Sequence, residues 1–131
     1  MKIFFPKESG SEKRISLTPD FLKKYIDSGL KISVENNMGD HLGFTDSNFK
    51  EHGAEIVDRE KGLKEGNIIC SVNKLSKDDL INVEENSLVV SFLDPFNDQD
   101  LVEHLKEKKI SSISMESVSY THLRAHETID D

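Results

Sequence analysis

Residues 67–93 read "NIICSVNKLSKDDLINVEENSLVVSFL". The two ends of this stretch, NIICSV and SLVVSFL, are continuously apolar instead of alternating. A strand that alternates has one wet face, whereas a strand that does not has both faces covered. Between them Ser76-Lys77-Asp78-Asp79 has capping-box spacing, with Leu80 and Ile81 following as the first apolar residues of a helix. Strand, helix and strand in this order make a crossover unit, so the flanking strands lie parallel in one sheet. The chain is an α/β layered domain.

Working outward, the same alternation continues. Strand-like runs occur at Lys2–Phe5, Lys31–Glu35, Ala54–Val57 and, after the opening stretch, Ile110–Met115. Helix punctuation lies between them. Thr18 can cap, Pro19 suits the first helical position, and Phe21, Leu22, Tyr25 and Ile26 share a face before Gly29 stops the helix. Thr45 can cap a short helix through Phe49 that ends at Gly53. Asn97 precedes Asp98 and Asp100; Leu101, Val102 and Leu105 form a stripe, and Lys106, Lys108 and Lys109 close the helix in the charge order its dipole prefers. No internal repeat or low-complexity linker interrupts the pattern.

With 131 residues the chain has room for one core. A charged fraction of 32% with bounded apolar runs indicates a folded domain, and a net charge of −8 argues against a nucleic-acid surface. No run approaches the ~18 apolar residues of a membrane span, and MKIFFPKE lacks the features of a signal peptide. Cys70 is the single cysteine, which excludes an internal disulfide and suits a reducing compartment. These features give the chain a cytosolic character.

In α/β folds ligands bind beyond the carboxyl ends of the strands. The first such loop lies within "FFPKESGSEKRISLTPD", residues 4–20, and crowds Lys7, Glu8, Glu12, Lys13 and Arg14 together. Lys7 and Arg14 are cations of the kind that hold a carboxylate or phosphate, with Glu8 beside them; the alternative is a solvated loop whose charges pair locally. Asp94, within SFLDPF just past the apolar strand and before Pro95, either contacts a ligand or starts an Asp-Pro turn. Cys70 lies mid-strand with nothing to lower its pKa and reads as core. His122 and His126 share i, i+4 spacing, but the glutamate of HExxH and a third ligand are missing, so no metal site is expected. His41, His52 and His104 read as surface residues. The seven glycines nowhere form G-x-G-x-x-G, and there is no P-loop.

Several blocks resemble one family in order. "MKIFFPKESGSEKRISLTPDFLKKYIDSGL" is similar to the opening of alanine dehydrogenases and nicotinamide nucleotide transhydrogenases: strand, PKE, charged insert, R-V-x-x-T-P, helix. "VENNMGDHLGFTDSNFKEHGAEIVD" resembles their next block, V-E-x-G-A-G leading to F-x-D and G-A-x-I. "NIICSVNKLSKDDL" and "NSLVVSFLDPFNDQDLVEHLKEKKISSISMESV" continue it, and the last looks closer to the transhydrogenase alpha subunit. The resemblance runs from Met1 to Val118. It implies a three-layer Rossmann-like (flavodoxin-like) domain with a mainly parallel sheet, the N-terminal domain of a longer oxidoreductase. It further implies NAD(H) on the intact subunit, NADP(H) on a beta subunit, a membrane domain coupling hydride transfer to proton movement, an alpha-subunit homodimer, and a cytoplasmic position at the inner membrane held through those partners.

Carried over by position, Arg14 matches the arginine before the T-P helix start, which in alanine dehydrogenases holds the substrate carboxylate, and Lys7 and Glu8 match PKE. A family lysine in K-V-N or K-V-K falls on Ser71, which counts against alanine dehydrogenase activity. Asn37 and Met38 stand where Gly-Ala is usual. After M-E-S-V the resemblance to the Pro-Arg continuation stops, so residues 119–131 are read as a non-family tail, disordered or artefactual. The expectations are an alpha-subunit fragment inactive by itself, an alanine dehydrogenase-like fragment, or a non-catalytic α/β interaction module. An apolar face, left open where a further domain would pack, is expected as a liability.

Overall fold

The computed structural model describes residues 1–92 and 99–115; Asp94, Asn97, His122, His126 and the segment 119–131 lie outside them. Among the described residues six strands, β1 (Lys2–Phe5), β2 (Lys31–Glu35), β3 (Glu55–Val57), β4 (Ile68–Asn73), β5 (Leu88–Phe92) and β6 (Ser111–Ser114), alternate with five α-helices. The helices are α1 (Pro19–Asp27), α2 (Asp46–Glu51), α3 (Arg59–Glu65), α4 (Lys77–Ile81) and α5 (Gln99–Glu107). The strands pair in the order β3-β2-β1-β4-β5-β6, every pair parallel. This is the doubly wound Rossmann order, and its direction reverses between β1 and β4.

Period-two alternation along β1 shows how the layers form. Ile3 and Phe5 enter one core with Leu22 of α1 and Phe49 of α2, while Phe4 enters the other with Leu63, Leu80, Leu101 and Leu105 of α3, α4 and α5. Right-handed crossovers require this division: the two connections running toward β3 use one face, and those running toward β6 use the opposite one. Ile68 and Cys70 of β4 pack at the margin of the α1–α2 core, and beyond them no described helix covers β5 and β6 on that side. Ile68, Cys70 and Val72 of β4 and Leu88 and Val90 of β5 lie on that side and are only partly buried, and Ile113 of β6, paired with Val90, is exposed. Among the described residues, these apolar side chains of β5 and β6 have no helix packed over them.

Caps explain where the short helices begin. Thr45 and Ser76 each form a capping box, the first with Asn48 and the second with Asp79. Thr18 occupies the N-cap position of α1 without a side-chain cap bond, so Pro19 alone marks that start. Gly29, at φ 86°, takes the left-handed conformation that ends α1. The apolar stripes are narrower than read: Phe21 and Ile81 face solvent, and Val102 is half-buried. Helix α3 has no counterpart in the sequence reading, and it packs so closely on β1 that a Cβ at Gly62 would stand 2.1 Å from the Phe4 ring.

Candidate functional site

Between β1 and α1 the chain runs along the C-terminal edge of the sheet, at the point where the strand order reverses. Glu8 ties it down. Its Oε2 accepts from the Val72 amide at 2.7 Å and its Oε1 from the Asn73 amide at 2.9 Å. Those amides come free because β4 bulges there: Cys70 pairs with Val90 and Asn73 with Phe92, so three steps on β4 oppose two on β5. Burial pushes the Glu8 carboxyl above its usual range, the two amides pull it back, and Glu12 nearby adds to the rise.

Arg14 is 67% exposed and engages Glu12 with its Nε and Nη2, at 3.0 and 2.8 Å. Glu12 Oε1 also accepts from Asn73 Nδ2 at 2.9 Å. Hydrogen bonds from the Arg14 side chain and then its amide hold the Glu12 carboxyl down at about 2. Arg14 thus stands at the loop with one edge of its guanidinium committed to Glu12 in the two-bond pairing that arginine makes with a carboxylate.

Lys7 is held by its main chain. Its amide donates to Glu35 Oε1 at 2.8 Å, and its carbonyl accepts from Arg59 Nη1 at 2.9 Å. Arg59 also pairs with Glu35 at 2.7 Å and grips Asp79 with two bonds of 2.8 Å each. Both carboxylates raise the Arg59 pKa, Asp79 most strongly, and Arg59 lowers that of Asp79. One guanidinium so joins the ends of β1 and β2 to the starts of α3 and α4. The Lys7 ammonium makes no ion pair among the described residues.

These residues border a cleft of about 360 Å³ lined by Lys7, Glu8, Gly10, Ser11, Glu12, Lys13, Asn37, Asp40 and His41. His41 Nε2 donates to the Lys13 carbonyl at 2.7 Å, pinning the β2 side of the cleft to the β1–α1 loop. Asn37 stands where the resembled family has glycine and takes φ 68°, a left-handed value that asparagine tolerates, so the departure preserves the turn. Its neighbour Met38 is fully buried. Ser71 is 6% exposed, and its hydroxyl donates to the Asn73 carbonyl at 2.7 Å, so position 71 itself offers no cation. Cys70 is half-buried, and burial raises its thiol pKa, consistent with an inert packing role. His41 and His52 are exposed as read, whereas His104 is half-buried.

The β1–α1 turn does not fit a dinucleotide. Its charged loop holds a single glycine, and α1 begins with Pro19, which has no N–H to offer a phosphate. Among the described residues there is no cluster of metal-ligating side chains and no helix long and apolar enough to cross a membrane.

Of the residues picked out from sequence, Lys7, Glu8 and Arg14 meet at this one edge, but through different partners. The organising residues Arg59 and Glu35 were missed. Arg59 opens the unread helix α3, whose signals were Asp58 as N-cap and the Glu60–Lys64 pair. Glu35 was hidden because a glutamate ending a strand has no local signature.

A doubly wound, all-parallel domain with a polar cleft at its switch point defines a Rossmann-like domain without its own dinucleotide turn. The family described as "Alanine dehydrogenase/PNT, N-terminal domain" matches residues 4–128, and the chain belongs to it. Alanine dehydrogenase of Staphylococcus epidermidis is 30% identical over 119 residues, covering 90% of this chain and 32% of that protein. Alanine dehydrogenase 2 of Staphylococcus aureus is 29% identical over the same shares. Among solved structures, a transhydrogenase from Sinorhizobium meliloti superposes with TM-score 0.84 at 20% identity, over 88% of this chain and 35% of that one. An L-alanine dehydrogenase gives 0.82 at 22%, over 87% and 32%. The chain spans about a third of the length of these relatives.

Proposed function

We propose that this chain is the N-terminal domain of the alpha subunit of a proton-translocating NAD(P)+ transhydrogenase. Ser71 carries the reading. Where an alanine dehydrogenase of the resembled pattern has a lysine for its keto acid, this chain has a buried hydroxyl bonded to its own main chain. The intact subunit would bring NAD(H) on its remaining part and meet NADP(H) on a beta subunit. A membrane domain would couple the transfer, and a second alpha subunit would complete the assembly at the cytoplasmic face of the inner membrane. The nicotinamide supplies the hydride in such an enzyme; this domain's share is to orient ligand and exclude water from the cleft. By itself the domain does not turn over.

The second reading is an amino-acid dehydrogenase of the alanine dehydrogenase type, favoured by the two staphylococcal relatives. An intact protein carrying this domain separates the two. Assayed with its partner subunit, it is expected to reduce an NADP+ analogue from NADH and to leave NADH unoxidised by pyruvate with ammonia. The reverse pattern assigns the alanine dehydrogenase reading.

A further inference from the structure

We propose that Arg59 is a positioning residue for the cleft: it clamps the main chain of Lys7 and so presents the Lys7 ammonium as an anchor for an anionic group of the ligand. The inference rests on reading the cleft as the ligand side of this oxidoreductase domain.

The clamp is a closed ring. The Lys7 amide donates to Glu35 Oε1, Arg59 Nη1 donates to the same oxygen, and Nη1 also donates to the Lys7 carbonyl. The other edge of the guanidinium is locked on Asp79, which is itself fixed by the capping box of α4. A planar fork can serve all of these acceptors at once; a lysine, a point charge on a flexible stem, cannot. The carboxylates that line the cleft beside Lys7 include Glu8 and Glu12, and both are already engaged, by the β4 amides and by Arg14. Asp40 is the remaining carboxylate of the lining, which Lys13 and His41 share. Lys7 is thus held through its backbone while its charge stays uncommitted among the described residues, the arrangement of a cation reserved for something else.

The anion is a carboxylate or phosphate-class group of a ligand brought to the cleft from outside, since the β1–α1 turn offers no dinucleotide cradle of its own. The test uses the 131-residue chain, titrated separately with pyruvate and with inorganic pyrophosphate while backbone amide resonances of Lys7 and Gly10 are followed. One of the two anions is expected to bind. Arg59→Lys and Lys7→Met should each weaken it about tenfold, the worth of one charge-assisted contact. The double variant should lose no more than either single one, because both act through one ammonium. Arg59→Lys should also speed amide exchange at Lys7 while leaving Phe4 protected, and Asp79→Asn should do the same to a smaller extent. Undiminished affinity in folded Arg59→Lys overturns the positioning role and leaves the cleft reading standing. If the wild-type chain binds neither anion, both the anchor and the cleft reading fall.

Discussion

At the scale of single residues, Glu8 and Asp79 are carboxylates put to opposite use. Glu8 accepts two main-chain amides from β4 in a half-buried place, and burial dominates, so its native pKa lies above the ordinary 4.5. Native Glu8 therefore takes up a proton more readily than the unfolded chain. Its contribution to stability is lost as pH rises from 4.5 through that native value. Asp79 is held below 3.8 by Arg59, so the stability it brings is complete above 3.8 and is lost as pH falls through its native value. Urea midpoints measured from acid to neutral pH should show both limbs. Asp79→Asn is expected to flatten the acid limb, and Glu8→Gln the limb above 4.5. Removing Glu8 entirely has a second effect. Glu8→Ala strands the Val72 and Asn73 amides, and at about 1–3 kcal/mol for an unsatisfied buried group it should lower the urea midpoint without changing the slope. A midpoint equal to wild type would mean that water replaces the carboxylate.

At the scale of elements, α3 joins the cleft to the core, because its first residue is Arg59 and its fourth, Gly62, packs on β1. Gly62 has no room for a methyl group: the Phe4 ring is 2.1 Å from where a Cβ would sit. Gly62→Ala gains about 1 kcal/mol of helix propensity but overpacks the core, which costs about 1–3 kcal/mol and is expected to win. A thermal melt should fall, and exchange at the Lys7 amide should quicken as α3 shifts. A rise in melting temperature would show that the ring can move aside. The caps offer a cleaner case. Ser76→Ala should cost about 1 kcal/mol, read from the same melt, since the serine side chain accepts the Asp79 amide. Those caps were legible because their chemistry is local: Thr45 and Ser76 stand one residue before α2 and α4, each with its partner three residues on. Helix α3 was not legible, because Leu63 is its only large apolar residue and a glycine sits in its middle. Its stability comes from contact with Phe4, which no window of sequence around residue 60 contains.

At the scale of the whole molecule, the sheet is dressed unequally. Val89 is buried under α3, α4 and α5, whereas Val90, one residue on, faces the side that no described helix covers. An open apolar face of this kind binds hydrophobic dyes and promotes self-association. Val90→Lys is expected to lower dye binding and self-association with little change in melting temperature. Val89→Lys, which buries a charge, should unfold the chain. Equal tolerance at both positions would contradict the two-layer division.

The sequence by itself determined the alternation of strands and helices, the parallel sheet, and the family, because these depend on periodicity, caps and blocks of residues that are local or collinear. It also placed Lys7, Glu8 and Arg14 in the loop between β1 and α1. Only the tertiary structure decided what those charges touch. Glu8 reaches β4 across 64 positions and Arg59 reaches the Lys7 carbonyl across 52. A side chain's partner at such a distance follows from strand order, which brings β1 between β2 and β4, and not from any pattern along the chain.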